Sequence, residues 1–341
     1  MIKKLSGKLA YFLFHQPAVW ERLAALRISI SVICLVLLIW GDYDSSFYGL
    51  TSSFLHRQDA IFPFLPALGP TAFLILKSVA IVGGLFTLAG LFTRVSMVVL
   101  TVSFFLLNGY IAANDSYWLA YITHLHFFSI ALSCVDTSRH YSLDSWMRKR
   151  IYISDKAQRE AASFAIAFMQ IFIAVLYLQT GISKLLNSGV EWFTSGQTSY
   201  YATMMFGTRL GQFMTQYREV YHVIGVYTGI VEVGFFFAFL FRRTHKVLAV
   251  LGMSLHIGIY SLMILSFFML WWIYPALFLF KNNWKKQAER EEDLTVTPLQ
   301  DELPAQHQRD IEKVYSSFSS QSDSDEGSSK SPLQTMNSRK N

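Results

Sequence analysis

Charge is scarce in this chain. Lys, Arg, Asp and Glu make up 15% of its 341 residues, against about a quarter in an ordinary soluble protein. Cysteine is scarcer still. Cys34 and Cys134 are the two in the sequence, which excludes a disulfide scaffold and any Cys-rich zinc or iron–sulfur site. Their expected depths differ by most of a leaflet, so a disulfide between them is not expected. Also missing are a G-x-S-x-G elbow, a P-loop, a Rossmann glycine set and an H-E-x-x-H helix. Internal repeats and inverted transporter halves are missing too. What the chain does hold is 52% hydrophobic and 16% aromatic residues, with a mean hydropathy of +0.33. That composition argues against a cytosolic globular enzyme, a disordered chain and a coiled coil.

The charge that exists divides the chain. Residues 1–280 hold 20 basic and 12 acidic residues, and residues 281–341 hold the other 9 basic and 11 acidic ones. The tail passes through Glu291-Glu292-Asp293 into Ser-rich sequence. It carries too little aliphatic surface to offset the entropy of ordering, and is expected to be disordered. The expected organisation is a cytoplasmic N-terminal segment over 1–22, a transmembrane domain over 23–280 and a largely disordered cytoplasmic tail over 281–341.

A bilayer core needs about 20 apolar residues per helix. Segments 23–41, 71–92, 95–113, 117–135, 162–186, 221–241 and 247–265 qualify, with an eighth at 266–280. The fold class is therefore all-α: a polytopic membrane helix bundle of about eight spans. Val247–Phe280 runs 34 residues without Asp, Glu, Lys or Arg. As one helix it would be about 51 Å long against a hydrocarbon core of about 30 Å. Basic residues flank both its ends, so it is expected to turn back on itself near Ser266 with a short final helix.

With both termini cytoplasmic, the cytoplasmic segments up to residue 290 carry 18 Lys/Arg, and the outer loops carry three, Arg57, Arg209 and Arg218. That asymmetry obeys the positive-inside rule. It makes the basic pI of about 9.1 a mark of topology rather than of nucleic-acid binding. The first span is long and lacks a small-residue cleavage site, so it is expected to be retained. Of the outer loops, 42–70 and 187–220, the second suggests an interfacial helix over the bundle mouth.

Ionisable groups at membrane depth are costly, so each is a functional candidate. Gln170, Ala174, Tyr177, Gly181 and Lys184 recur at helical spacing and share one face of the fifth span. A desolvated Lys184 there can serve as a base, whereas the bland alternative has it snorkelling to the outer interface. His124 and His126, two apart on the fourth span, point to different sides, so they do not form a metal site on that helix alone. Asn114 and Asp115 sit above them at the outer mouth, where an N-cap is the plainer role. Glu232 lies a turn below the Gly225/Gly229 pair, facing protein, with His256 or another cation as its expected partner. His256 lies mid-span between Gly252 and Tyr260, and Lys77 reads as a snorkelling lysine. Lys77, Asp115, His124, His126 and Lys184 all fall in the outer half, as an outward-opening polar pocket requires. No metal site is expected.

Four stretches resemble the membrane domain shared by vitamin K-dependent gamma-carboxylases and bacterial horizontally transferred transmembrane (HTTM) domain proteins. They are Arg22-Leu-Ala-Ala-Leu-Arg-Ile28, Leu88-Ala-Gly-Leu-Phe-Thr-Arg94, Val135-Asp-Thr-Ser-Arg-His-Tyr-Ser-Leu-Asp144, and Thr180-Gly-Ile-Ser-Lys-Leu185 followed by Glu191, Trp192 and Gly196. Leu255-His256 before a Phe/Trp/Pro-rich final helix is a fifth. In the carboxylases the lysine matching Lys184 deprotonates vitamin K hydroquinone. The resemblance thus implies Lys184 as base, with His124 or His126 and Asp115 orienting or reprotonating. Tyr177, Gly181, Trp192, Glu232 and His256 would line a site for a reduced quinone. The carboxylase Asn-His pair reads Asn114-Asp115 here. A short tail stands where carboxylases carry a large luminal region. The smaller bacterial members, including relatives linked to maturation of a sporulation-delaying toxin, are closer in size.

The leading expectation is a cell-membrane protein that modifies a lipophilic quinol or a small exported peptide, with carboxylase/epoxidase-like or peptide-maturation chemistry if it is an enzyme. The alternatives are a proton-coupled carrier or channel, and a non-catalytic scaffold or immunity protein. The lipid bilayer is the expected partner in every case, and nucleic acid in none.

Overall fold

The computed structural model describes residues 9–41, 43, 68–112, 116–148, 156–239, 241–263 and 267–279. Among these the regular structure is helix, with no strand. The helices are α1 Val19–Trp40, α2 Pro70–Ala89, α3 Thr93–Ala112, α4 Ser116–Ser133, α5 Leu143–Arg148, α6 Lys156–Ser188, α7 Glu191–Thr194, α8 Gln197–Phe206, α9 Arg209–Met214, α10 Arg218–Phe239, α11 His245–Met263 and α12 Phe268–Phe278. Six of them, α1, α2, α3, α6, α10 and α11, are long and apolar enough to cross a bilayer, and α4 and α12 contribute shorter apolar stretches. In hydrocarbon every backbone polar group must be satisfied within its own segment, and helices do this. Buried hydroxyls follow the same rule: Ser31, Thr87 and Thr101 donate to the carbonyls of Arg27, Gly83 and Met97 one turn back.

α1 is the central post, packing on α2, α4, α6 and α12. The most apolar stretches of α1 and α3 are 61% and 67% buried, against 28% for α2. α2 therefore turns Leu74, Ile75, Val79 and Val82 outward as lipid-facing surface. α6 packs on α10, α10 on α11, and α11 on α12.

The expected segments correspond to helices with shifted ends. The segment 162–186 is part of a 33-residue helix, about 50 Å long. Helix continues well past the apolar stretch because Lys156 to Glu160 are good helix formers that need no lipid. Ser266 lies outside the described residues. The helices on either side of it pack against each other. Ring contacts join Tyr260 to Trp271 and His256 to Phe267, and Gly252 meets Tyr274. α12 has 11 residues, about 16 Å, so it does not cross the bilayer alone.

Three of the four stretches that carry the family likeness meet at one end of the bundle. Gly90, with φ +68°, ends α2 in the left-handed conformation. A Cβ there would lie 2.4 Å from Ser142 Cβ. Asp144 accepts hydrogen bonds from the backbone N–H groups of Phe92 and Thr93 and from the Thr93 hydroxyl, at 3.0, 2.8 and 2.8 Å. It thereby satisfies donors that open α3. Arg27, fully buried, donates to the carbonyl oxygens of Thr137 (2.7 Å) and Tyr141. Arg22 and Gln170 both donate to the Leu277 carbonyl near the end of α12. This clasp ties α1, α2 and α3 to the 135–144 segment, and α1 and α6 to α12.

Candidate functional site

The site lies toward the opposite end of the bundle, where α7, α8 and α9 form a cap. The predicted face of α6 turns inward: Gln170, Ala174, Tyr177 and Gly181 are all buried. Gly181 lets α10 come close, because a Cβ at 181 would meet Val233 Cγ2 at 2.9 Å and Glu232 Cβ at 3.3 Å. One turn on, Lys184 forms an ion pair with Glu232. The two side chains are 22% and 8% exposed. The sequence left Glu232 open to His256 or another cation, and its partner is Lys184. The amine also stands 4.3 Å above the Trp192 ring, a cation–π arrangement.

Trp192 is held in place from behind. The Gly225/Gly229 pair suggested close helix packing, and the helix that packs there is the short α7, through Phe193. A Cβ at 225 would lie 2.2 Å from the Phe193 carbonyl, and one at 229 would strike the Phe193 ring at 2.6 Å. Gly196, with φ +63°, passes equally close to the Tyr221 carbonyl. Small residues on α10 thus seat α7, and α7 presents its tryptophan to the lysine.

Two turns below Lys184, the Tyr177 hydroxyl shares hydrogen bonds with His256 Nε2 (2.8 Å) and with the Tyr274 hydroxyl. Its ring stacks on Phe235, centroids 4.6 Å apart and planes 5° from parallel. Gly252 makes room for Tyr274, whose Cζ would be 2.9 Å from a Cβ at that position. Lys184 and Glu232, and the hydrogen-bonded set of Tyr177, His256 and Tyr274 two turns below them, form a polar line into the bundle. Among the described residues, Glu232 Oε2, His256 Nδ1 and His124 Nε2 are buried without hydrogen-bond partners.

Not every candidate joins this line. His126 packs between the Phe104 and Phe105 rings of α3, centroids 5.4 and 5.1 Å away. His126 thus faces α3. Asp115 lies outside the described residues, as does Asn114. Lys77 donates to the Tyr43 carbonyl at 2.8 Å, just past the end of α1. Tyr274 was missed from sequence because it sits in a uniformly apolar aromatic run with no periodic signal. Among the described residues no three of His, Cys, Asp and Glu gather to hold a metal. A groove of about 700 Å³ lies between α2 and α3, lined by residues such as Ile75, Val82, Phe92 and Val99. None of its lining residues belongs to the Lys184 set.

Long apolar helices, a bundle closed by buried intramembrane polar contacts and a paired lysine under a short cap define a multipass membrane protein. Residues 15–284 match the HTTM domain model, and the chain belongs to that family. Comparison with curated proteins and with solved structures returned no match.

Proposed function

We propose that the protein resides in the cell membrane with both termini cytoplasmic and the Lys184 end outward. There it uses Lys184 as a base on a weakly acidic group of a lipophilic quinol-type molecule or an exported peptide. The observation that carries the reading is the Lys184 amine, mostly withdrawn from water and held between Glu232 and Trp192. An ammonium ion cannot take up a proton. In low dielectric, however, a charged pair readily neutralises by moving its proton across. The ammonium proton passes to Glu232, leaving a free amine and a carboxylic acid. The amine then removes the substrate proton, forming a new N–H bond and a substrate anion. Trp192 and the new ammonium lie beside that anion.

The residues suit a reduced quinone. Trp192 and the Tyr177/Phe235 stack offer aromatic faces, and the unpartnered nitrogens of His124 and His256 suit phenolic or carbonyl oxygen. When bound, such a molecule supplies an acidic hydroxyl and redox capacity. The chain's own groups hold it, exclude water and move the proton at Lys184 Nζ. A gamma-carboxylase-like reaction or peptide maturation would both begin with such a step.

A second reading has one observation in its favour: Lys184 already has its carboxylate. A satisfied pair between α6 and α10 is also what a non-catalytic scaffold needs to fix helix register.

The test is to compare wild type with Lys184→Met after purification. Extracted quinones are quantified by mass spectrometry, and secreted peptides are profiled from cells carrying each form. The reading expects a variant that is less stable but still folded, and that loses the quinone or the modified peptide. Unchanged content of both, with the fold intact, rejects it in favour of the scaffold. A cysteine introduced at Ser195 is expected to label from outside the cell. Labelling at a cysteine near Ser142 instead reverses the orientation.

A further inference from the structure

The cap is built inside out for a structure surrounded by water. On α8 the buried positions are Ser199 and Thr203, and on α9 the buried position is Gly211. The large apolar side chains point away from the bundle. Tyr201, Met204, Met205, Phe206, Leu210 and Phe213 are between 50% and 74% exposed. The small inward residues have a clear packing reason. A Cβ at Gly211 would lie 2.0 Å from the Leu262 carbonyl and 2.9 Å from Thr203 Cγ2, so α9 sits directly on the end of α11. Thr208 fastens it there. Its N–H donates to the Leu262 carbonyl (3.0 Å) and its hydroxyl to the Ser261 carbonyl (2.6 Å).

Packing thus explains why the inner face is small, but it leaves the outer face apolar for another reason. A contiguous exposed apolar face marks an interaction surface. Its position names the partner. α10 and α11, which the cap closes, are 22 and 19 residues long. At about 1.5 Å per residue they just cross a hydrocarbon core. The cap therefore lies at the boundary of hydrocarbon and headgroups. Aromatic residues concentrate at that level. Arg209 and Arg218 open α9 and α10 as exposed cations, and the Arg218 guanidinium lies over the Tyr200 ring at 5.5 Å. Cations beside an apolar face match the phosphates and acyl chains of phospholipid.

We infer that α8 and α9 are immersed in the interfacial zone of the leaflet at the cap end, so that the outer face of the cap docks on phospholipid rather than on water or protein. This does not depend on whether Lys184 is a base. Where Lys184 does act so, its substrate arrives from the bilayer across this face.

The test uses the full chain with Cys134→Ser, since Cys34 is buried. Met205→Cys and Phe213→Cys are labelled with bimane and reconstituted in nanodiscs of phosphatidylcholine and phosphatidylglycerol. Leu210→Cys serves as a further position should Phe213→Cys fail to fold. Lipids brominated near the headgroup are expected to quench the label several-fold, and aqueous iodide to have little effect. Quenching by iodide alone would place the face in water. Quenching by neither would mean that a second copy or another protein covers it. Either result overturns the inference.

Discussion

Lys184 reaches Glu232 because Gly181 has no side chain: a Cβ there would press on Glu232 Cβ at 3.3 Å and on Val233 Cγ2 at 2.9 Å. Val233 is β-branched and has few rotamers with which to yield. Gly181→Ala is therefore expected to push α6 from α10 by a few tenths of an ångström and to destabilise by about 1–2 kcal/mol. Gly181→Leu should separate the pair. Thermal unfolding of the purified variants in detergent measures both, and a neutral Gly181→Leu would contradict the close packing.

The pair itself predicts a non-additive cycle. Removing one partner strands the other in a low-dielectric contact, at a cost of about 2–4 kcal/mol. Lys184→Met and Glu232→Leu should each show this loss. The double variant should recover most of it, because no unpaired charge remains. Unfolding midpoints of the four proteins give the coupling. Additive losses would mean that the two groups do not interact in the membrane.

Much of this fold is legible locally. Bilayer thickness dictates apolar runs of fixed length, and helical spacing dictates that Gln170, Ala174, Tyr177 and Gly181 face inward together. Pairing between helices is not legible in that way. Glu232 is 48 residues from Lys184, and no local pattern says which turn of α6 faces which turn of α10. The same gap hid Phe193 as the occupant of the Gly225/Gly229 notch, because a small-xxx-small face tells only that something comes close. The likeness to known families marked Arg27, Gly90 and Asp144 without revealing that they touch. His126 is a similar case: nothing in its own helix says that the Phe104 and Phe105 rings of α3 flank it.

The clasp is expected to be sensitive at Gly90. A side chain there must adopt the left-handed conformation, costing roughly 1–2 kcal/mol. It must also displace Ser142, whose Cβ and Cα would be 2.4 and 2.7 Å away. Gly90→Val should therefore reduce the yield of monodisperse protein sharply. Asp144→Ala, which leaves the opening of α3 uncapped, should cost about 1–2 kcal/mol. Size-exclusion profiles after mild heating rank the two, and an unaffected Gly90→Val would exclude the clasp.

Acid should loosen the same region. Burial pushes the Asp136 carboxyl upward. Hydrogen bonds from the Ser138 hydroxyl (2.6 Å) and N–H (3.0 Å), and the Arg139 guanidinium (3.3 Å), outweigh burial and hold the carboxyl below its ordinary value. A carboxylate lowered on folding stabilises above its unfolded value, and that contribution disappears as pH falls through the lowered one. Stability of the 135–144 segment should thus be steady from neutral pH to about 5 and decline below about 4. Hydrogen exchange of that segment reports it. Asp136→Asn should flatten the decline, and an equally steep decline in that variant would assign the acid response elsewhere.

Tyr177 and Tyr274 should respond unequally to loss of their hydroxyls. The Tyr177 hydroxyl bonds both His256 and Tyr274, whereas Tyr274 has Tyr177 as its partner among the described hydrogen bonds. Tyr177→Phe leaves His256 Nε2 and the Tyr274 hydroxyl buried together with the already unpartnered His256 Nδ1. Each stranded polar group costs about 1–3 kcal/mol, so a loss of about 2–4 kcal/mol is expected. Tyr274→Phe leaves the Tyr177–His256 bond in place and should cost about 1 kcal/mol. Both rings remain, so packing on Phe235 and against Gly252 is unchanged, and the difference isolates the hydrogen bonds. Unfolding midpoints of the two variants decide the matter. Equal losses would show that Tyr177 does not bridge α11 and α12.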